Sequence, residues 1–129
     1  SNDALTALDL PALASIGGSL YIGSNNALTA LDLPALASIG YLYIYRNDAL
    51  TALDLPALAS IGGYLAIAGN DALTALDLPA LASIGSFLSI YSNDALPTCE
   101  AEAIRDQLLA AGFTGSVDIS DNDDAGTCP

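Results

Sequence analysis

The sequence predicts a mainly β fold: a parallel β-solenoid of about four coils of 22–23 residues, ending in a disulfide-closed cap that contains a helix. Three observations carry this. The block ALTALDLPALASIG occurs four times unchanged, at Ala4–Gly17, Ala27–Gly40, Ala49–Gly62 and Ala72–Gly85. The starts are 23, 22 and 23 residues apart, a period at which each repeat forms one coil of a solenoid. From Pro97 the repetition stops and the composition shifts. The expected organisation is one domain over residues 1–129, with a repeat solenoid over 2–96 and a C-terminal cap over 97–129.

Each coil can be justified in order. Leu5, Leu8 and Leu10 have the spacing LxxLxL, and Leu8 and Leu10 flank an outward Asp9, which is strand alternation. Pro11 punctuates the chain. Leu13 and Ile16 point inward, Gly17-Gly18 turns the chain, and Leu20 and Ile22 alternate around Tyr21. Two short strands per coil follow, stacking into two parallel sheets. The recurring Ala4, Ala7, Ala12 and Ala14 suggest a narrow cross-section. Asn25, Asn47, Asn70 and Asn93 form a column one coil apart, suited to an amide ladder inside a turn. A fifth copy begins at Asn93-Asp94-Ala95-Leu96 and breaks at Pro97.

In the cap, Ile104, Leu108 and Ala111 share a helical face. Thr98 is the expected N-cap, two glutamates occupy the first turn, and Gly112 follows the last. Val117 and Ile119 around Asp118 mark a last strand. Cys99 and Cys128, the only cysteines, bracket the cap. A disulfide between them, rather than two free thiols, would stabilise the chain by about 3–4 kcal/mol and implies an oxidising, secreted or cell-surface setting. The chain carries no signal peptide and reads as a mature or trimmed form.

The inter-block segments GSLYIGSNN, YLYIYRND, GYLAIAGND and SFLSIYSND share a Leu, an Ile two residues later and an Asn three after that. This I-G-G-x-L-x-I-x-x-N core resembles the receptor L-domain pattern over residues 2–96. The resemblance implies a right-handed, leucine-rich-repeat-like solenoid and the ligand-binding role of receptor ectodomains and surface proteins. The near-perfect repetition departs from that family, whose repeats are more degenerate, and suits recent amplification or consensus engineering.

Composition excludes several functions. Fifteen acidic residues face two arginines, for a net charge of −13, so nucleic acid and anionic membrane surfaces are disfavoured partners. No apolar run is long enough to span a bilayer. Without His or Lys, nothing conventional activates a hydroxyl nucleophile, and a non-enzymatic protein without cofactor or metal is expected. The Asp9, Asp32, Asp54 and Asp77 column reads as a solvated face, not a cation ladder. The Asp118, Asp121, Asn122, Asp123 and Asp124 cluster matches only part of a calcium loop and reads as a charged surface. The single Thr6, Thr29, Thr51 and Thr74 row lacks the paired row of an ice-binding face.

One face varies while the framework is frozen. Its outward rows are Ser19, Tyr41, Tyr64, Phe87; then Tyr21, Tyr43, Ala66, Ser89; then Gly23, Tyr45, Ala68, Tyr91. Arg46 lies at the edge. All six tyrosines fall here, and Tyr and Arg are the usual interface anchors. The expected ligand-binding residues are Tyr21, Tyr41, Tyr43, Tyr45, Arg46, Tyr64, Phe87 and Tyr91, centred on coil two, for a protein or glycan partner. The alternative is a ligand-free scaffold. Coil one, uncapped with Leu5 and Leu8 ready to stack, is expected to support self-association.

Overall fold

In the computed structural model, which describes residues 2–128, the chain is a parallel β-solenoid of about four turns with one C-terminal helix. Ser1 and Pro129, the outer limits of the expected domain, lie outside the described residues. Every coil starts with a three-residue strand of sequence Ala-Leu-Asp: β1 (Ala7–Asp9), β3 (Ala30–Asp32), β5 (Ala52–Asp54) and β8 (Ala75–Asp77). β1 pairs with β3 and β5 with β8, residue for residue. The ladder is interrupted between β3 and β5, which are 22 rather than 23 residues apart.

The second run of each coil builds one seven-stranded sheet. In coils one and two it is a single strand, β2 (Ser15–Gly23) and β4 (Ser38–Tyr45). In coils three and four it divides into β6 (Ser60–Ile61) and β7 (Leu65–Ala68), then β9 (Ser83–Ile84) and β10 (Phe87–Tyr91). The expected turn at Gly17-Gly18 is therefore corrected. These glycines lie within β2, at a register shift between Ile16 and Ser19. Coil two has one residue fewer at this corner, Gly40-Tyr41 against Gly62-Gly63-Tyr64, so β2 carries the extra residue as a bulge. The corner runs tightly stacked: a Cβ on Gly85 would lie 2.0 Å from the Gly62 carbonyl oxygen.

The seven aliphatic positions of a coil are buried throughout coils two to four. In coil one Leu5, Leu8, Leu13, Ile16 and Leu20 are only half-buried and Leu10 is exposed, because no described residue stacks on that side. The alanines do not narrow the core. Ala7, Ala12, Ala14 and most of their repeats face outward, and the interior is filled by Leu and Ile alone.

The residue before each column asparagine has a left-handed backbone: Ser24, Arg46, Gly69 and Ser92 at φ 55°, 52°, 65° and 55°. This kink turns the asparagine inward. The Asn47 amide nitrogen donates to the Ile22 carbonyl (3.1 Å) and to Asn70 Oδ1 (3.2 Å), and the Asn47 backbone N–H donates to the same oxygen (3.0 Å). The pattern repeats at Asn70 and Asn93. It ends on Asn122, whose Oδ1 accepts from the Asn93 backbone and side chain and whose amide donates to Ile90.

Asn122 belongs to the cap, which contains a degenerate fifth coil. Strand β11 (Ser116–Ser120) pairs in register with β10, setting Val117 beside Leu88 and Ile119 beside Ile90. Asp121 takes the left-handed position at φ 53°. Helix α1 (Thr98–Ala110) covers coil four with Ala101, Ile104 and Leu108; Ala111, expected on that face, is exposed. Gln107 Nδ-type donors are replaced here by its Nε2, which donates to the carbonyls of Leu78 (2.9 Å) and Leu81 (2.7 Å), where a further coil would stack. Thr98 is not the N-cap. It is the first helical residue after Pro97, and its hydroxyl donates to Asp124 instead. Only Glu100 lies in the first turn; Glu102 pairs with Arg105 at 3.3 Å. Cys99 and Cys128 form the disulfide, tying the start of α1 to the end of the chain.

Candidate recognition surface

The variable face is the outer surface of the seven-stranded sheet. Alternation along each strand buries Leu42 and Ile44 and turns Tyr41, Tyr43 and Tyr45 outward. The register is the one the sequence implies. Ser19 pairs with Tyr41, Tyr21 with Tyr43 and Ala66, and Gly23 with Tyr45 and Ala68, while Ser89 and Tyr91 continue the last two rows. All eight proposed binding residues therefore share one face.

The rings pack on one another as well as facing solvent. Tyr41, Tyr64 and Phe87 form a row with centroid separations of 5.0 and 4.9 Å, the latter pair stacked. Tyr43 and Tyr45 lie 4.4 Å apart, and Tyr21 meets Tyr43 edge-on at 6.0 Å. Two glycines act as seats. A Cβ on Gly23 would lie 2.0 Å from the Tyr45 ring, and one on Gly63 would lie 2.0 Å from the Tyr41 ring. Large residues stand beside absent side chains, so the varied positions are coupled in pairs.

The face is not centred on coil two as an open depression. Its hollows lie over coils three and four, where Ala66, Ala68 and Ser89 point outward yet are only 7%, 5% and 8% exposed. Aromatic rims shelter them. A cleft of about 250 Å³ over Ala66 and Ser89 is bounded by Tyr43, Tyr64, Phe87 and Tyr91. A second, of about 340 Å³, over Ala68 and Gly69, is bounded by Tyr43, Tyr45, Arg46, Tyr91 and Ser92. Tyr21 and Tyr41, the most exposed tyrosines at 56% and 43%, line neither. The small residues that form the floor were not among the expected binding residues. The signal for them was present: they are the non-aromatic members of the varied rows.

Hydroxyl chemistry links the rim. The Tyr21 and Tyr64 oxygens lie 2.9 Å apart. This shared hydrogen bond, with partial burial, pushes the Tyr64 phenol up to about 12 and lowers that of Tyr21. The Tyr91 hydroxyl and then partial burial raise the Tyr43 phenol.

The acidic features have other tasks. Asp118 accepts from the Ser120 hydroxyl, Asp124 from Thr98, and Asn122 ends the ladder. Among the described residues no group of three or more His, Cys, Asp or Glu side chains is arranged to hold a metal. The Asp9 and Asp54 columns are exposed, and Thr29 and Thr74 donate to the carbonyls of Thr6 and Thr51. Among the described residues no helix is long and apolar enough to cross a membrane.

No protein-family model, curated protein or solved structure matches this chain.

Proposed function

We propose that the protein is a non-enzymatic recognition module that binds a protein or glycan through the aromatic-rimmed face of its long sheet. The observation that carries this reading is the pair of clefts, in which aromatic walls stand over a floor of Ala66, Ala68 and Ser89. Rigid aromatic area around a shallow, preformed hollow is the composition of an interface centre. The I-G-G-x-L-x-I-x-x-N repeats and the parallel coils support kinship with receptor L-domains and leucine-rich-repeat ectodomains. The Cys99–Cys128 disulfide supports a secreted or cell-surface location. The reading assigns no metal, cofactor or catalytic residue, and the charge of −13 argues against nucleic-acid partners.

The test is a glycan and protein array probed with the parent and with a Tyr43→Ser, Tyr91→Ser variant. Each lost anchor should weaken binding by about 2 kcal/mol, roughly 30-fold, with unchanged melting. Equal binding by both would place the site elsewhere.

A second reading, a structural scaffold that self-associates, is favoured by one observation: the half-buried Leu5, Leu8, Leu13, Ile16 and Leu20 of coil one. Light scattering over a concentration series tests it, and a strict monomer would remove it.

A further inference from the structure

The outward rows show how many rings the coil repeat accommodates and where one is missing. Tyr41, Tyr64 and Phe87 fill three successive coils with one ring each, at 5.0 and 4.9 Å. In the row led by Gly23 the order is Tyr45, Ala68, Tyr91. Two aromatic residues stand two coils apart, and the residue between them is an alanine. Two coil steps span about 9.6 Å. A ring sandwiched between two others needs about 7–8 Å, twice the carbon contact distance. One planar group fits above Ala68 and two do not. Tyr45 leans the other way, over Gly23, which leaves the gap open on its side.

The neighbouring chemistry indicates what else the occupant carries. The Ala68 cleft shares Arg46, Gly69 and Ser92 with an adjoining depression lined by Asp48, Asp71 and Asp94. These carboxylates recur once per coil and are exposed. Arg46 is the single cation among them, and its stem lies over Gly69, where a Cβ would be 3.5 Å from Arg46 Cγ. The apolar, aromatic hollow thus opens on a mouth of three negative charges and one positive, in a protein of net charge −13. A neutral glycan makes no use of that mouth. A peptide segment with a cation beside an aromatic residue uses both parts.

We infer that the occupant of this face is a basic, aromatic segment of a partner protein, which inserts one planar side chain above Ala66 and Ala68, between Tyr43–Tyr45 and Tyr91, and sets a Lys or Arg against Asp71 and Asp94. The inference rests on the recognition reading above and names its partner class. Insertion parts the Tyr43 and Tyr91 hydroxyls and gives the incoming cation a partly desolvated carboxylate partner.

The chain has no Trp, so a tryptophan in a probe peptide reports alone. The experiment titrates the full ¹⁵N-labelled protein with N-acetylated, C-amidated Lys-Trp-Lys, with Glu-Trp-Glu and with maltotriose. Trp emission and the Ala66, Ala68 and Ser89 amide resonances are followed. Lys-Trp-Lys should saturate with a blue-shifted emission and move those amides, with Glu-Trp-Glu at least tenfold weaker. Asp71→Asn, Asp94→Asn should weaken Lys-Trp-Lys about tenfold and flatten its salt dependence. Ala68→Leu, which fills the gap from an outward position, should abolish the Ala66 and Ser89 shifts with the far-ultraviolet spectrum unchanged. If that variant does not fold, the aspartate variant decides alone. Equal binding of both peptides, or Lys-Trp-Lys shifts confined to the aspartate column, overturns the inference. Maltotriose moving the three amides when neither peptide does overturns the partner class and leaves the recognition face standing. Failure of all three probes to move them overturns the inference while the array comparison separately decides the broader reading.

Discussion

Replacing Asn70 by alanine should unfold the solenoid from its middle. Asn70 is fully buried. Its Oδ1 accepts from the Asn47 backbone N–H (3.0 Å) and the Asn47 amide (3.2 Å), and its Nδ2 donates to the Ile44 carbonyl (3.1 Å) and to Asn93 Oδ1 (3.2 Å). Alanine deletes all four bonds. Asn47 Nδ2 keeps its bond to Ile22, and Asn93 Oδ1 keeps the Asn70 backbone N–H. The Asn47 backbone N–H and the Ile44 carbonyl then lose their ladder partner in a dry interior. Each such group costs about 1–3 kcal/mol, so the expected loss is about 4 kcal/mol. For a chain of this size that lowers Tm by roughly 15 °C. Asn25 is the internal control. Its side chain makes one bond among the described residues, a 3.3 Å donation to Asn47, so Asn25→Ala should cost about 1 kcal/mol or less. Urea unfolding followed by circular dichroism measures both. If the two variants lose the same stability, the ladder is not what binds coil to coil, and the aliphatic interior alone holds the stack.

Other perturbations have equally definite outcomes. Cys99→Ser opens a loop with a sequence separation of 29 and should cost about 3.5 kcal/mol by the chain-entropy relation; thiol alkylation of the parent should find no free cysteine. Tyr64 holds its proton more tightly folded than unfolded. Its contribution to stability is therefore complete below its ordinary value of 10.0 and is lost as pH rises toward about 12; Tyr64→Phe should remove that alkaline decline, as read by the unfolding midpoint against pH. Arg46 sits at φ 52°, where a side chain costs about 1–2 kcal/mol relative to glycine. Arg46→Gly should accordingly leave stability unchanged or raised in chemical denaturation, whereas Gly69→Ala should lower it by about 1 kcal/mol.

The sequence disclosed what repeats and concealed what happens once. The coil period, inward Leu and Ile positions, asparagine column and outward rows could all be read, because each is enforced four times with the same spacing. The corner could not. Gly17-Gly18 looks like a turn, but parallel pairing with the shorter coil two absorbs the extra residue as a bulge. Thr98 looks like a helix cap until Asp124, 26 residues away, claims its hydroxyl. Asn122 was placed in an acidic run although Val117-Asp118-Ile119-Ser120-Asp121-Asn122 keeps the L-x-I-x-x-N spacing with one conservative change. Its charged neighbours masked a pattern that backbone pairing makes plain. For the site, row membership was legible and the hollow was not, since a hollow depends on where rings lean.

The glycine seats under Tyr45 and Tyr41 bear on how the chain finds its own order. Four identical blocks are interchangeable to the interior. A chain that looped out coil three and stacked coil four on coil two would bury nearly the same Leu and Ile side chains, and such misassembly is a characteristic hazard of repeat arrays. The surface distinguishes the coils. Tyr41 finds a glycine only on coil three, at Gly63; coil four presents Ser86 and Phe87 at that corner. Tyr45 finds Gly23 only on coil one. Smoothing the face to serine would therefore do more than erase a binding site. It would remove the labels by which each coil is matched to its neighbour, and refolding would slow and divide among slipped stacks of similar stability.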